Sequence, residues 1–220
     1  MAQAKQKMRP SSLWIPGVFW YIGTENVMHT RATEQPLMIL TDQMILNAIE
    51  AKSIVIEPFK RSCLGSNSYD VHLGKWLGTY HSEVLDAKLH NQIGLIEIPE
   101  EGIVLQPHEF YLGVTEEYTE SHAHVPFLEG KSSIGRLGID IHATAGKGDI
   151  GFCNTWTLEI SVKKPVRVYR GMPIGQLIYF EVSGSVVTPY HTKRNAKYSR
   201  RGEHPVESMM FKNFEDLSLN

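Results

Sequence analysis

The sequence predicts a mainly-β domain, a distorted barrel or jelly roll with one short helix near its beginning. Three observations point there. Brief apolar runs with period-two alternation recur along the chain, glycines and prolines (18 and 11 of them) fall between those runs, and only one stretch carries helical periodicity. Hydrophobic content of 42% and charged content of 21% are those of an ordinary globular chain. A formal net charge of −2 supplies no global basic field, so no nucleic-acid partner is expected.

The elements follow in order. Thr41-Asp42 caps a helix with Met44, Ile45, Ala48 and Ile49 on one face. Ile54-Val55-Ile56 reads as a brief strand stopped by Pro58, and Leu64 to Gly74 as a turn feeding a strand with Tyr69, Val71 and Leu73 on one side. Leu95–Ile98, Ile103–Leu105 and Phe110–Leu112 continue the series. Leu137, Ile139 and Ile141 alternate with Gly138, Asp140 and His142, which predicts another strand. In Trp156 to Val162, Trp156, Leu158, Ile160 and Val162 take one face, while Thr157, Glu159 and Ser161 take the other. Val166-Arg167-Val168 and Ile174 to Val182 close the set. Cys63 and Cys153 lie too far apart for a disulfide framework or zinc knuckle and are expected to be free thiols of a cytoplasmic protein. No apolar run is long enough to cross a membrane as a helix. Leu13 to Ile22 follows Lys5, Lys7 and Arg9, but Pro16-Gly17 interrupts it and no cleavage site follows, so it reads as non-secretory. Residues 1–37 differ from the rest and read as an extension of unknown role, an extra strand, a partner-binding arm or sequence upstream of the true start, for which Met38 would make a sensible N-terminus.

Several motifs need weighing. Gly130-Lys131-Ser132 lacks the earlier glycine of a phosphate loop, because Val125 occupies that position. His122-x-His124 followed by Glu129 has metal-ligand spacing, but beside Pro126 it reads as a surface loop. His81-Ser82-Glu83 is half of the zinc deaminase signature, and its Pro-Cys-x-x-Cys half is missing. Taken singly, Glu159 is a solvated carboxylate, Ser132 and Ser133 cap a helical turn, and Arg136 forms a surface ion pair. Their joint spacing groups a carboxylate, hydroxyls and a guanidinium for polar chemistry on a small molecule.

From about Met38 to about Tyr198 the chain resembles the dCTP deaminases of the trimeric dUTPase-like fold, including their bifunctional diphosphatase members. The resemblance rests on Leu64-Gly65-x-Asn67-Ser68-Tyr69-Asp70, Glu129 to Gly138, His142-x-Thr144-Ala145, Asp149-x-Gly151-Phe152, Leu158-Glu159, Ile174-Gly175-Gln176-Leu177, and Tyr190 with Lys197-Tyr198. It implies a dUTPase-like barrel over 38–189, a segment 190–220 that closes over the nucleotide phosphates, and a homotrimer with active sites between subunits. It further implies hydrolytic deamination with no cofactor for the chemistry. Glu159 would be the general base, Ser132 and the backbone at Ala145 would position its water, and Arg136 would orient Glu159 and stabilise developing charge.

By the same resemblance, Lys131, Ser132, Ser133, Ile134, Gly135 and Arg136 would hold phosphates, with Mg²⁺ escorting them. Asp149 would meet the sugar hydroxyl, Thr157 and Leu158 would read the base edge through their backbone, and Tyr190, Lys197 and Arg201 would close on the triphosphate. Release of dUTP is the first expectation; a bifunctional enzyme yielding dUMP and pyrophosphate, with Asp149 activating the second water, is the alternative. A non-catalytic regulatory nucleotide binder is the third reading. His142 and Ala145 fall where the family's dTTP-responsive switch is expected. Two departures stand out: Gly146-Lys147-Gly148 replaces the usual Arg or Trp after Thr-Ala, and Arg200 or Arg201 stands near a customary glutamine.

Overall fold

The structure, a computed structural model, describes residues 38–199 and 201–217. The expectations for residues 1–37 and for Arg200 lie outside the described residues. In chain order the elements are α1 (Asp42–Glu50), β1 (Ile54–Glu57), β2 (Tyr69–Tyr80), β3 (Ile93–Glu97), β4 (Ile103–Leu105), β5 (Tyr111–Thr115), β6 (Tyr118–Ser121), β7 (Val125–Gly130), α2 (Ser132–Gly135), β8 (Ile139–Asp140), β9 (Cys153–Asn154), β10 (Thr157–Val162), β11 (Val166–Val168), β12 (Pro173–Phe180) and α3 (Lys212–Leu217). Short 3₁₀ turns occupy Arg61–Cys63 and Tyr190–Thr192.

The strands build a seven-stranded sheet ordered β7-β12-β2-β5-β10-β8, with β3 on the far half of β2. A three-stranded sheet β1-β6-β9 and a β11-β4 pair complete the mainly-β barrel, every strand pairing being antiparallel. Tyr69, Leu73, Leu77, Leu158, Ile160, Ile174, Leu177 and Tyr179 are buried in one core. Fully burying a side chain of this size contributes about 1.5–3 kcal/mol.

Local chemistry explains most boundaries. The Thr41 hydroxyl accepts from the Met44 N–H at the start of α1, whose Ile45 and Ala48 enter the core. β2 runs on to Tyr80, beyond the Gly74 limit read from sequence. The run predicted over Leu137–Ile141 is strand only at Ile139–Asp140. Gly138 adopts φ +75 there, which turns the chain and leaves Leu137 exposed. Strands β6, β7 and β9 were not legible in the sequence. β7 contains Pro126 and tolerates it because β7 ends the sheet order, where a missing N–H need not enter a ladder.

At the β2/β5 corner Glu117 is fully buried. Its carboxylate accepts from the His72 N–H at 2.8 Å and meets His72 Nδ1 at 2.5 Å, so the turn after β5 is tied to the middle of β2.

Candidate active site

The alternation of β10 places Leu158 and Ile160 in the core and leaves Thr157 and Glu159 half-buried on the opposite face. The Glu159 N–H donates to Ile141 O at 2.8 Å, so residues 141–143 run beside β10. The Ala143 N–H then donates to Glu159 Oε2 at 2.7 Å. One carboxylate oxygen is thereby fixed by the backbone, which orients the group as a base requires.

The loop carrying Ala145 is stitched to β7. Leu128 N–H donates to Gly146 O at 2.7 Å and Gly148 N–H to Pro126 O at 2.8 Å. A Cβ on Gly148 would sit 2.6 Å from the Trp156 ring and 2.9 Å from Pro126, so a side chain there would push the loop off its seat. Gly146, the residue directly after Thr-Ala, is packed as closely: a Cβ there would lie 2.6 Å from Leu128 O.

Asp149 follows. Its Oδ1 accepts from Lys147 at 2.7 Å and its Oδ2 from Lys193 at 2.9 Å, and these two ammoniums hold its carboxyl below the usual carboxylate range. Phe152 packs on Trp156 and on Tyr190, with ring centroids 4.9 and 5.8 Å away.

The C-terminal segment lies over this ground. Gly202 O accepts from the Thr155 hydroxyl at 2.9 Å, Val206 N–H donates to the Thr157 hydroxyl at 3.1 Å, and Ser208 N–H donates to the Tyr80 hydroxyl at 3.1 Å. Between the segment and the barrel is a cavity of about 490 Å³ whose lining includes Ala145, Asp149, Thr157, Glu159 and Tyr190. That volume suits a small organic ligand. Leu158 keeps its side chain in the core, so only its backbone is left for a ligand.

The remaining expected residues sit elsewhere in the chain. Ser132, Ser133 and Gly135 on α2, with Arg136 at its end, are exposed, Ile134 is buried, Lys131 pairs with Asp70, and none of them lines the cavity. Lys197 does not line it either. Arg201 lies 3.9 Å from the centre of the Tyr118 ring and 3.4 Å from Glu57, facing a second cavity.

His142 meets Glu129 at 3.7 Å, and His122 and His124 occupy the loop between β6 and β7. Sequence reasoning missed Tyr80, Lys147, Phe152 and Lys193. The Gly-Lys-Gly departure was the available signal for Lys147, and the basic run Lys193-Arg194, Lys197, Arg200-Arg201 was the one for Lys193.

A β-barrel whose polar strand face and C-terminal segment enclose a carboxylate-bearing cavity is the frame of a small-molecule enzyme. The family model described as dCTP deaminase-like matches residues 39–182, and the chain belongs to that family. A protein named dCTP deaminase, dUMP-forming, from Clostridium acetobutylicum is 47% identical over 178 residues, 80% of this chain and 99% of that one. One of the same name from Cytophaga hutchinsonii is 46% identical over 78% of this chain and 99% of that one. The solved 2'-deoxycytidine 5'-triphosphate deaminase from Agrobacterium tumefaciens shares the fold, with TM-score 0.54 and 20% identity over 67% of this chain. This chain spans about half of that one, 49%.

Proposed function

We propose that the protein converts dCTP to dUMP, ammonia and pyrophosphate, using active sites shared between the subunits of a homotrimer. The observation that carries this reading is Glu159, fixed by the Ala143 N–H on the wall of a ligand-sized cavity. The sequence alone favours dUTP as the end product; relatives that are matched over 99% of their length and named dUMP-forming move the reading to the second hydrolysis.

In the first step Glu159 takes a proton from water, and the hydroxide adds to C4 of the cytosine ring as the proton passes to N3. Glu159 then takes the proton of the new C4 hydroxyl and delivers it to the departing amine, so the C4–N bond breaks, ammonia leaves and the C4 carbonyl of uracil forms. Ala145 offers its carbonyl to the water within the same subunit. Ser132 and Arg136, exposed and outside the cavity, serve the site of a neighbouring subunit, where Arg136 steadies the carboxylate and the charge growing on the ring. Lys131, Ser133 and Gly135 travel with them toward the phosphates.

The two lysines that lower the basicity of Asp149 make it a better acceptor for the sugar hydroxyl than a base for the phosphate-attacking water. Among the described residues, Asp149 and Glu159 are the only carboxylates lining the cavity, and Asp149 is already engaged. This donor set fits Mg²⁺ held chiefly by the nucleotide's own phosphates, with Asp149 the side chain able to reach it; the ion would supply charge neutralisation.

Incubation with dCTP and Mg²⁺, followed by chromatography, tests the proposal. Equimolar dUMP and pyrophosphate are expected. Accumulating dUTP would restrict the enzyme to deamination, and unchanged dCTP would overturn the reading.

A further inference from the structure

Among the described residues, two clusters of metal-ligating side chains lie outside the chemistry above: His72 with Glu116 and Glu117, whose His72–Glu117 pair already ties β2 to the turn after β5, and a second one built on His122. His122 directly follows β6, Cys153 opens β9, and His191 sits in the 3₁₀ turn Tyr190–Thr192; one ligand atom from each lies within 4.8 Å of the other two. The pairing of His122 with His124 and Glu129 that sequence spacing offered is not the one the fold makes.

Backbone contacts hold the three donors together. His122 N–H donates to Ser53 O at 2.9 Å, Gly151 N–H to Ser121 O at 2.6 Å, and Tyr190 N–H to Ile150 O at 2.8 Å. Gly151 allows the approach: it adopts φ +85, and a Cβ on it would lie 2.6 Å from His191 Nδ1 and 2.8 Å from Tyr190 N. Each imidazole also has an outer partner. His122 Nε2 meets Glu120 Oε2 at 2.7 Å, and His191 Nδ1 meets Gly151 O at 3.3 Å. A carboxylate and a backbone carbonyl are the groups that usually orient metal-binding histidines, and the Cys153 thiol donates to the same Gly151 O at 3.4 Å.

We propose that His122, Cys153 and His191 form a site for one zinc-class divalent cation, with solvent in the fourth position. Two imidazoles and a thiolate match the softness of zinc and exclude magnesium as the preferred occupant. The Cys153 thiol loses its proton to solvent as the sulfur–metal bond forms, so charge balances with one proton released. The cation would join β6 and β9 to the turn that carries Tyr190 and so fasten one wall of the cavity. It would take no part in deamination.

Cobalt titration of the full chain, purified with chelator, reads the site directly. One equivalent is expected to give the thiolate-to-cobalt charge-transfer band and tetrahedral visible bands, and zinc is expected to abolish both. Cys153→Ser should remove the charge-transfer band, and Glu120→Gln should weaken binding about 10- to 100-fold by loosening His122. Thermal melts with and without zinc guard against a folding artefact: wild type should be stabilised, and a folded Cys153→Ser protein should not. The proposal is overturned if cobalt gives no charge-transfer band, or if the band persists in Cys153→Ser. Neither outcome depends on dCTP turnover.

Discussion

Glu159 shows what a single position can disclose. Its place opposite Leu158 and Ile160 follows from alternation alone, whereas the N–H that fixes it comes from Ala143, 16 residues earlier, and no local pattern signals that. Glu159→Gln keeps the size of the side chain on a half-buried face and removes the base. Turnover is expected to fall about 10²- to 10⁴-fold while dCTP affinity persists, as steady-state kinetics beside equilibrium binding would show. Asp149 was equally visible, but its partner Lys193 lies 44 residues away, so its restrained basicity was not. His124 gives a pH effect with a definite sign. Burial lowers its pKa below 6.5, the Glu181 carboxylate opposing only in part, and its Nδ1 has no partner among the described residues. The unfolded chain therefore binds the proton first. Stability is full above about pH 6.5 and falls as pH drops from there through the lowered folded value. Urea midpoints measured at about pH 7.5 and about pH 5 should differ less in His124→Asn than in wild type.

Among elements, strands with strict alternation were readable and strands defined by their neighbours were not. β10 and α1 follow from spacing and a cap. β9 has two residues and exists because β6 offers it an edge, and β7 hides behind Pro126. The continuation of β2 to Tyr80 escaped notice for a similar reason, since Gly74 and Gly78 interrupt the pattern where β5 packs close. A Cβ on Gly74 would lie 3.0 Å from Val114 O. The tie between β2 and the turn after β5 rests on Glu117 and His72. Glu117→Ala would leave the buried His72 N–H and Nδ1 without their acceptor and should cost about 1–3 kcal/mol, read as a lowered urea midpoint with an unchanged slope.

At the scale of the molecule, the barrel was foreseeable from strand patterning, whereas a site divided between subunits was an expectation only of the family resemblance. Glu159, Ala145, Asp149 and Tyr190 share a cavity that α2 does not reach. The proposed sharing between subunits predicts complementation: Glu159→Gln and Arg136→Ala proteins, each inactive alone, should regain activity after mixed refolding. About a quarter of sites in a random trimer would carry both native groups. No recovery would place the whole site within one subunit. The sheet order has one more consequence, in time. β12 lies between β7 and β2, yet it is the last strand of the sheet to be made. Until residues 173–180 leave the ribosome, β7 has no β12 to pair with, and β2 presents an open edge of the kind that invites pairing with other chains. A nascent chain stalled just before Pro173 is therefore the species on which a chaperone would have most to hold.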